Sequence, residues 1–239
     1  MSGPEQPADE SAPGRLGERG PFDLGHELPA PLRPQRYGRY VALLALLILV
    51  LITINTIVTK PNGAKGVPPG QALPPFAVPL ATSNLAGDAD VATSADQGGL
   101  GRVPACQLRG PRILNVCQLY ERAPLVLVLF VNSGSCPRVL GDVEELLPAF
   151  RSVHFAAVAL GGDHGGVSRL VRSRGLTFPV GIDPDGALLP RYKVASCPQI
   201  TFVYPGGIVQ SPALLSRPAP ATLRARVQEL VDAAKARAR

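Results

Sequence analysis

The chain has 239 residues, a formal net charge of +6, 46% hydrophobic and 5% aromatic residues, and no Trp. That size admits one medium domain with tails rather than several domains. The positive charge is spread over tails and helices with few aromatics interleaved and no nucleic-acid motif, so it reads as solvated faces, and no nucleic-acid partner is expected. The four Cys are an even count, compatible with paired disulfides in an oxidising compartment. Neither they nor the three His show metal-ligand spacing, so no metal and no cofactor is expected.

Residues 1–39 are rich in Pro, Gly, Glu and Arg, with little apolar periodicity, and read as a disordered tail. Residues 40–58, YVALLALLILVLITINTIV, carry no charge. Their length, about 19 residues, matches a transmembrane helix across roughly 30 Å of hydrocarbon. A buried core helix is the competing reading, disfavoured by the tail-like flanks. Arg33, Arg36 and Arg39 precede the run, and Lys60 and Lys65 follow it. This weak bias, with further arginines in the tail, puts the N-terminus in the cytoplasm and the rest outside. A cleaved signal peptide is the alternative, but the run is longer than the apolar part of one and no small-x-small site follows closely. The expectation is an uncleaved single-pass anchor in the cell membrane, a cytoplasmic tail (1–39), a Pro/Gly linker (59–72) and an extracytoplasmic domain (73–239).

Residues 76–101 form a loop-rich lead-in. Residues 111–119, with apolar Ile113, Leu114, Val116 and Leu119, predict a strand. Cys106 and Cys117 bracket it at a separation that suits a hairpin-like disulfide, with connectivity left open by sequence. The Val/Leu-dense run 125–131 predicts a strand buried on both faces. A polar loop, Asn132 to Ser135, leads to Cys136-Pro137, then to Val139, Leu140, Val143, Leu146 and Leu147 at helical spacing. Cys136 thus stands where a central strand hands over to a helix. Backbone N–H groups at a helix N-terminus favour an anion, and a thiolate is one. Pro137 fits a first helical turn. Arg138 either lowers the Cys136 pKa by its charge or is an exposed helix residue. The competing reading of Cys136 is a small buried hydrophobe.

A strand over 153–160 follows. Residues 161–166 (Gly-Gly-Asp-His-Gly-Gly) read as a solvated loop rather than as a metal or acid–base site at Asp163 and His164. Next come a helix over 167–174, a strand over 178–182, the turn Asp183-Pro184-Asp185-Gly186 and a short helix over 187–192. The strand 199–204, the turn Pro205-Gly206-Gly207 and residues 208–210 predict a hairpin. Residues 219–236, with Leu223, Val227, Leu230 and Val231 at helical spacing, predict a terminal amphipathic helix. Repeated strand–helix–strand units imply right-handed crossovers and a mostly parallel sheet covered by helices, to which the hairpin adds antiparallel strands: an α/β fold.

That order, with Cys-Pro at the first strand-to-helix switch and Pro198 just before the hairpin strand, resembles the thioredoxin-like superfamily over about residues 73–236. It looks most like the redoxin branch, the membrane-anchored thiol–disulfide oxidoreductases and the peroxiredoxins. LPPFAVPL (73–80), DPDG (183–186) and YKVASCPQITFVYPGG (192–207) carry the likeness. The resemblance implies a three-layer sandwich with a mixed central sheet, preceded by a single transmembrane helix.

The chain departs from both branches. The Cys-x-x-Cys of thioredoxins reads Cys136-Pro137-Arg138-Val139, so Val139 occupies the resolving position, and the preceding Trp is absent. Against the peroxiredoxin pattern Pro-x-x-x-Thr/Ser-x-x-Cys, Ser133 and Cys136 match while Leu129 stands at the Pro position. The peroxide-polarising arginine falls near Pro198, which is the cis-proline place of thioredoxins. The resemblance also implies that Cys197, just before Pro198, lies against Cys136 and replaces the missing resolving Cys. The implied function is a thiol redox protein in which Cys136 attacks a protein disulfide or a peroxide and Cys197 resolves the intermediate. Ser133, Arg138 and Pro198 stand around them, and a thiol reductant is the partner. The alternative is a non-catalytic thioredoxin-like binding module whose cysteines form structural bridges.

Overall fold

A computed structural model gives the protein's structure over residues 34–58 and 65–239. Residues 1–33, most of the expected tail, and residues 59–64 of the expected linker, with Lys60, lie outside the described residues. The chain divides into two compact units, with the boundary in sequence between residues 59 and 60. The first holds helix α1 (Pro34–Val58), which begins ahead of the uncharged run 40–58. Its side chains are described over residues 37–53, and every large apolar one from Tyr40 to Ile52 is exposed. The Thr53 hydroxyl donates to the Leu49 carbonyl at 2.7 Å, which satisfies it within the helix. Among the described residues no helix is long and apolar enough to cross a membrane. The uncharged run 40–58 extends past the last side chain described in α1.

The second unit contains β1 (Ala77–Pro79), β2 (Ile113–Asn115), α2 (Val116–Tyr120), β3 (Leu125–Phe130), α3 (Val139–Glu144), β4 (His154–Leu160), α4 (His164–Ser173), β5 (Val180–Asp183), α5 (Leu188–Arg191), β6 (Gln199–Val203) and α6 (Pro220–Arg237). Four strands form a mixed sheet in the order β5-β4-β3-β6. Strand β4 is parallel to β3 and β5, and β6 is antiparallel to β3. All six residues of β3 are buried. Val126, Val128 and Phe130 pack with Leu140 of α3, Val171 of α4 and Leu223 of α6. Leu125, Leu127 and Leu129 pack with Val78 of β1, Val116 of α2 and Leu188 of α5. The period-2 alternation of a strand therefore feeds two cores, one on each face of the sheet. The result is three layers with β3 near the middle.

The short β1–β2 ladder leans on β5 through a bridge between Leu80 and Gly181. A Cβ on Gly181 would collide with Val78, so the close approach requires glycine there.

Several elements differ from the sequence expectation for local reasons. Residues 111–119 split into β2 and α2 because Asn115 caps the helix, accepting the Gln118 N–H at 3.3 Å. The lead-in contains strand β1. The later part of the linker packs on the domain: Val67 is buried, and the Gly66 N–H donates to the Lys193 carbonyl at 3.3 Å. Helix α4 begins at His164 because Asp163 caps it, accepting the Gly166 N–H at 2.7 Å, so the expected solvated loop is a helix start. After β6 the chain does turn back, with the Tyr204 N–H on the Ile208 carbonyl at 2.8 Å. The return leg, however, pairs only through isolated bridges such as Val203 with Val209, and Pro212 has no N–H to extend a ladder.

Candidate redox site

Strand pairing builds the site. The last pair of the β3–β6 ladder is Leu129 with Gln199, and the strands are antiparallel. The chain leaving β3 and the chain entering β6 therefore emerge side by side. Continuing the register would set Val131 opposite Cys197. Instead the Val131 N–H donates to the Cys197 Sγ at 3.0 Å, and the Cys197–Pro198 peptide is cis. From Val131 a short loop returns to Cys136. The Ser133 N–H donates to the Val131 carbonyl at 2.8 Å and the Cys136 N–H to the Ser133 carbonyl at 3.3 Å, while Gly134, at φ 56°, supplies the left-handed residue the loop needs. Cys136 opens a 3-10 turn, Cys136–Arg138, that runs directly into α3.

Cys136 and Cys197 are joined in a disulfide, with Cα atoms 5.6 Å apart and a sequence separation of 61. They sit at the C-terminal end of β3, where open α/β sheets place their sites. The two are unequal. Cys136 is 8% exposed and belongs to the core with Val139 and Leu140, whereas Cys197 is exposed. Of the other expected residues, Pro198 is buried beside Cys197, Ser133 is exposed in the loop, and Arg138 is exposed on the turn.

Both halves of the site are held from behind. On the Cys136 side, the Arg174 guanidinium at the end of α4 donates to the Pro137 carbonyl at 2.6 Å. On the Cys197 side, the buried Asp183 carboxylate accepts the Ala187 and Leu188 N–H groups at 3.1 and 2.9 Å and so anchors α5. Burial pushes its pKa up to about 6; the Leu188 and Ala187 bonds oppose that rise and the Asp185 carboxylate adds to it. Further along, the Tyr192 hydroxyl donates to the Pro74 carbonyl at 2.6 Å, and Gln199 Nε2 donates to the Tyr192 carbonyl at 3.0 Å. Burial holds the Tyr192 hydroxyl far above its ordinary pKa, so it stays a neutral donor. The connector carrying Cys197 is thereby tied at both ends.

Sequence reasoning missed Arg174, Asp183 and the Val131 N–H. Arg174 lies 37 residues from Pro137, and nothing local marks the contact. A backbone N–H has no sequence signature at all. Asp183 reads as a turn residue, and at five positions ahead of Leu188 it lies outside the position a capping signal marks.

The second disulfide joins Cys106 to Cys117 at a Cα separation of 5.4 Å and a sequence separation of 11. It ties the 3-10 turn Ala105–Gln107 to α2, with Cys117 buried in the core on the opposite face of the sheet from Cys136. Asn115 Nδ2 bonds the Ala105 and Leu108 carbonyls alongside, at 2.9 and 2.8 Å. Among the described residues no group of three or more His, Cys, Asp or Glu is arranged to hold a metal ion.

No protein-family model matches the chain, and no curated protein matches it. Solved structures do. A candidate protein disulfide isomerase from Bacteroides thetaiotaomicron aligns at TM-score 0.51 and 14% identity, over 70% of this chain and 91% of that one. A candidate thiol:disulfide interchange protein DsbE from Chlorobium tepidum aligns at TM-score 0.51 and 15% identity, over 70% of this chain and 98% of that one. An uncharacterized conserved protein from Geobacillus kaustophilus aligns at TM-score 0.52 and 16% identity, over 70% and 83%. These likenesses, with the mixed four-stranded sheet and the cis-proline at the entry to β6, define a thioredoxin-like fold.

Proposed function

We propose that this chain is a membrane-anchored, extracytoplasmic thiol redox protein that exchanges disulfides through the Cys136–Cys197 pair. The observation that carries the reading is the bridge itself. Two cysteines from distant parts of the chain meet at the C-terminal end of β3, and one of them is exposed. An accessible disulfide is open to attack by a thiolate. The structures named as a candidate disulfide isomerase and a candidate interchange protein support the same chemistry. In the reaction, a dithiol substrate is oxidised to a disulfide while the bridge opens to two thiols. It runs in reverse once a thiol reductant has opened the bridge. Reduction of a peroxide by the open pair is the second activity to assay, because a Cys thiolate attacks that electrophile too.

The anchor is argued from the sequence and from α1. The run 40–58 is uncharged, arginines precede it, and the exposed apolar side chains from Tyr40 to Ile52 need a cover that lipid supplies. In this proposal residues 1–39 are the cytoplasmic tail, 59–72 the linker and 73–239 the redox domain, in a compartment where disulfides persist. Protease added to spheroplasts then digests the domain; full protection contradicts the topology.

One observation favours the other reading, a binding module with structural bridges: Cys136 is buried. Turnover of a protein disulfide and of hydrogen peroxide by the wild type, Cys136→Ser and Cys197→Ser decides between them. Loss of turnover by about 100-fold or more in either variant supports the redox assignment. Full activity in both variants removes the site. An inert wild type whose Cys136–Cys197 bridge survives strong reductant establishes the binding module.

A further inference from the structure

Given that redox reading, we infer that Cys197, not Cys136, is the sulfur that exchanges with the partner. The mixed disulfide forms on Cys197, and Cys136 is the sheltered thiol that releases it. This order is the opposite of the one expected from sequence, and three observations carry it. The first is access. Exchange needs an incoming thiolate to reach one sulfur of the bridge; Cys197 is exposed, while Cys136 is 8% exposed and packed among core residues. The second is hydrogen bonding. The Val131 N–H, the first donor beyond the end of the β3–β6 ladder, points at the Cys197 Sγ at 3.0 Å. A donor on sulfur favours the thiolate over the thiol and so lowers its pKa. The third is the environment of Cys136: its own N–H is taken by the Ser133 carbonyl, and its neighbours in the core are apolar, among them Val139 and Leu140.

The step balances as follows. A partner thiolate attacks the Cys197 Sγ, forming a partner-S–S-Cys197 bond as the Cys136–Cys197 bond breaks. The electron pair leaves on the Cys136 Sγ, which takes a proton from solvent. The partner's second thiolate then attacks its own sulfur, leaving with a disulfide and releasing Cys197 as a thiolate. The partner is oxidised and the bridge reduced by two electrons. In the reverse direction the Cys197 thiolate attacks the partner disulfide and Cys136 closes the bridge.

The test uses the reduced full chain in detergent, with glutathione disulfide as the probe. Cys136→Ser should trap glutathione on Cys197 at least tenfold faster than Cys197→Ser traps it on Cys136, as read by intact mass and peptide mapping. A wild-type control bypasses any folding defect of the variants: iodoacetamide added to reduced wild type over a pH series should label Cys197 first and at lower pH than Cys136. Faster trapping and labelling at Cys136 overturns the inference and leaves the redox proposal standing. Trapping in neither variant, with a wild-type bridge that strong reductant does not open, overturns both.

Discussion

Cys106–Cys117 spans 11 residues and lies beside an Asn115 side chain that already ties the same two segments; Cys136–Cys197 spans 61 residues and joins the exit of β3 to the entry of β6. By loop-closure entropy the first contributes about 3 kcal/mol and the second about 4 kcal/mol. If stability alone dictated placement, the longer bridge would be the better one to shelter. Yet each bridge has one buried cysteine, Cys117 or Cys136, and it is the longer bridge whose other cysteine, Cys197, is exposed, while Cys106 of the shorter one is half-buried. Span and exposure are therefore independent in these two bridges. Local hydrogen bonds from Asn115 fix the segments joined by the short bridge, whereas the long bridge stands at the end of the β3–β6 ladder with Cys197 exposed.

The largest effect that separates the two concerns stability without activity. The double variant Cys106→Ser/Cys117→Ser should lose about 3 kcal/mol in denaturant unfolding while disulfide turnover per folded molecule stays within about threefold of wild type. A loss of turnover as deep as that expected for Cys197→Ser would erase the distinction between the bridges.

A smaller effect sharpens the Cys197 side alone. Asp183 has a folded pKa of about 6 against an ordinary value of 3.8, so the folded state keeps its proton longer than the unfolded chain. Its stabilising contribution is therefore complete below pH about 3.8 and is lost as pH rises through about 6; the full interval corresponds to about 3 kcal/mol, which solvent screening brings down to the order of 2 kcal/mol. Asp183→Asn cannot ionise, and its stability should lose that slope between pH 4 and 7. Identical slopes for the two proteins would remove Asp183 as the source. Because Asp183 anchors α5, the helix before the Cys197 connector, Asp183→Asn, which keeps one carbonyl oxygen to accept the Ala187 and Leu188 N–H groups, should lose hydrogen-exchange protection in residues 188–197, while residues 105–117 keep the wild-type protection at the same pH.

How much of this was legible in the sequence follows the range of the forces involved. The β3 run was legible because a strand buried on both faces must be apolar throughout, and α6 because its apolar residues recur at helical spacing. The position of Cys136 between strand and helix was legible as well. Its nearness to Cys197 came only through resemblance, since strand register brings together residues 61 apart. The division of 111–119 into β2 and α2 was missed although Asn115 followed by Gln118 is a capping signal; the apolar spacing outweighed it. Asp163 was passed over in the same way. The Val131 N–H and the Arg174 contact were not legible at all, because one belongs to the backbone and the other is a tertiary hydrogen bond.

The smallest effect tests that contact. Arg174→Ala removes a charged donor from the Pro137 carbonyl and should cost about 1 kcal/mol, with Arg174→Lys recovering part of it. It should also change the exchange rate of Cys136–Cys197 while leaving the reducibility of Cys106–Cys117 as in wild type. Equal changes at both bridges would mean that Arg174 acts on global stability and does not position the turn.

The most direct measurement is an equilibrium redox titration of the full chain in glutathione buffers of increasing reducing strength, quenched by alkylation and mapped by mass. The account predicts that Cys136–Cys197 opens and re-closes reversibly while Cys106–Cys117 remains intact and the domain stays folded. Opening of Cys106–Cys117 first, or of both bridges together only as the domain unfolds, would contradict it.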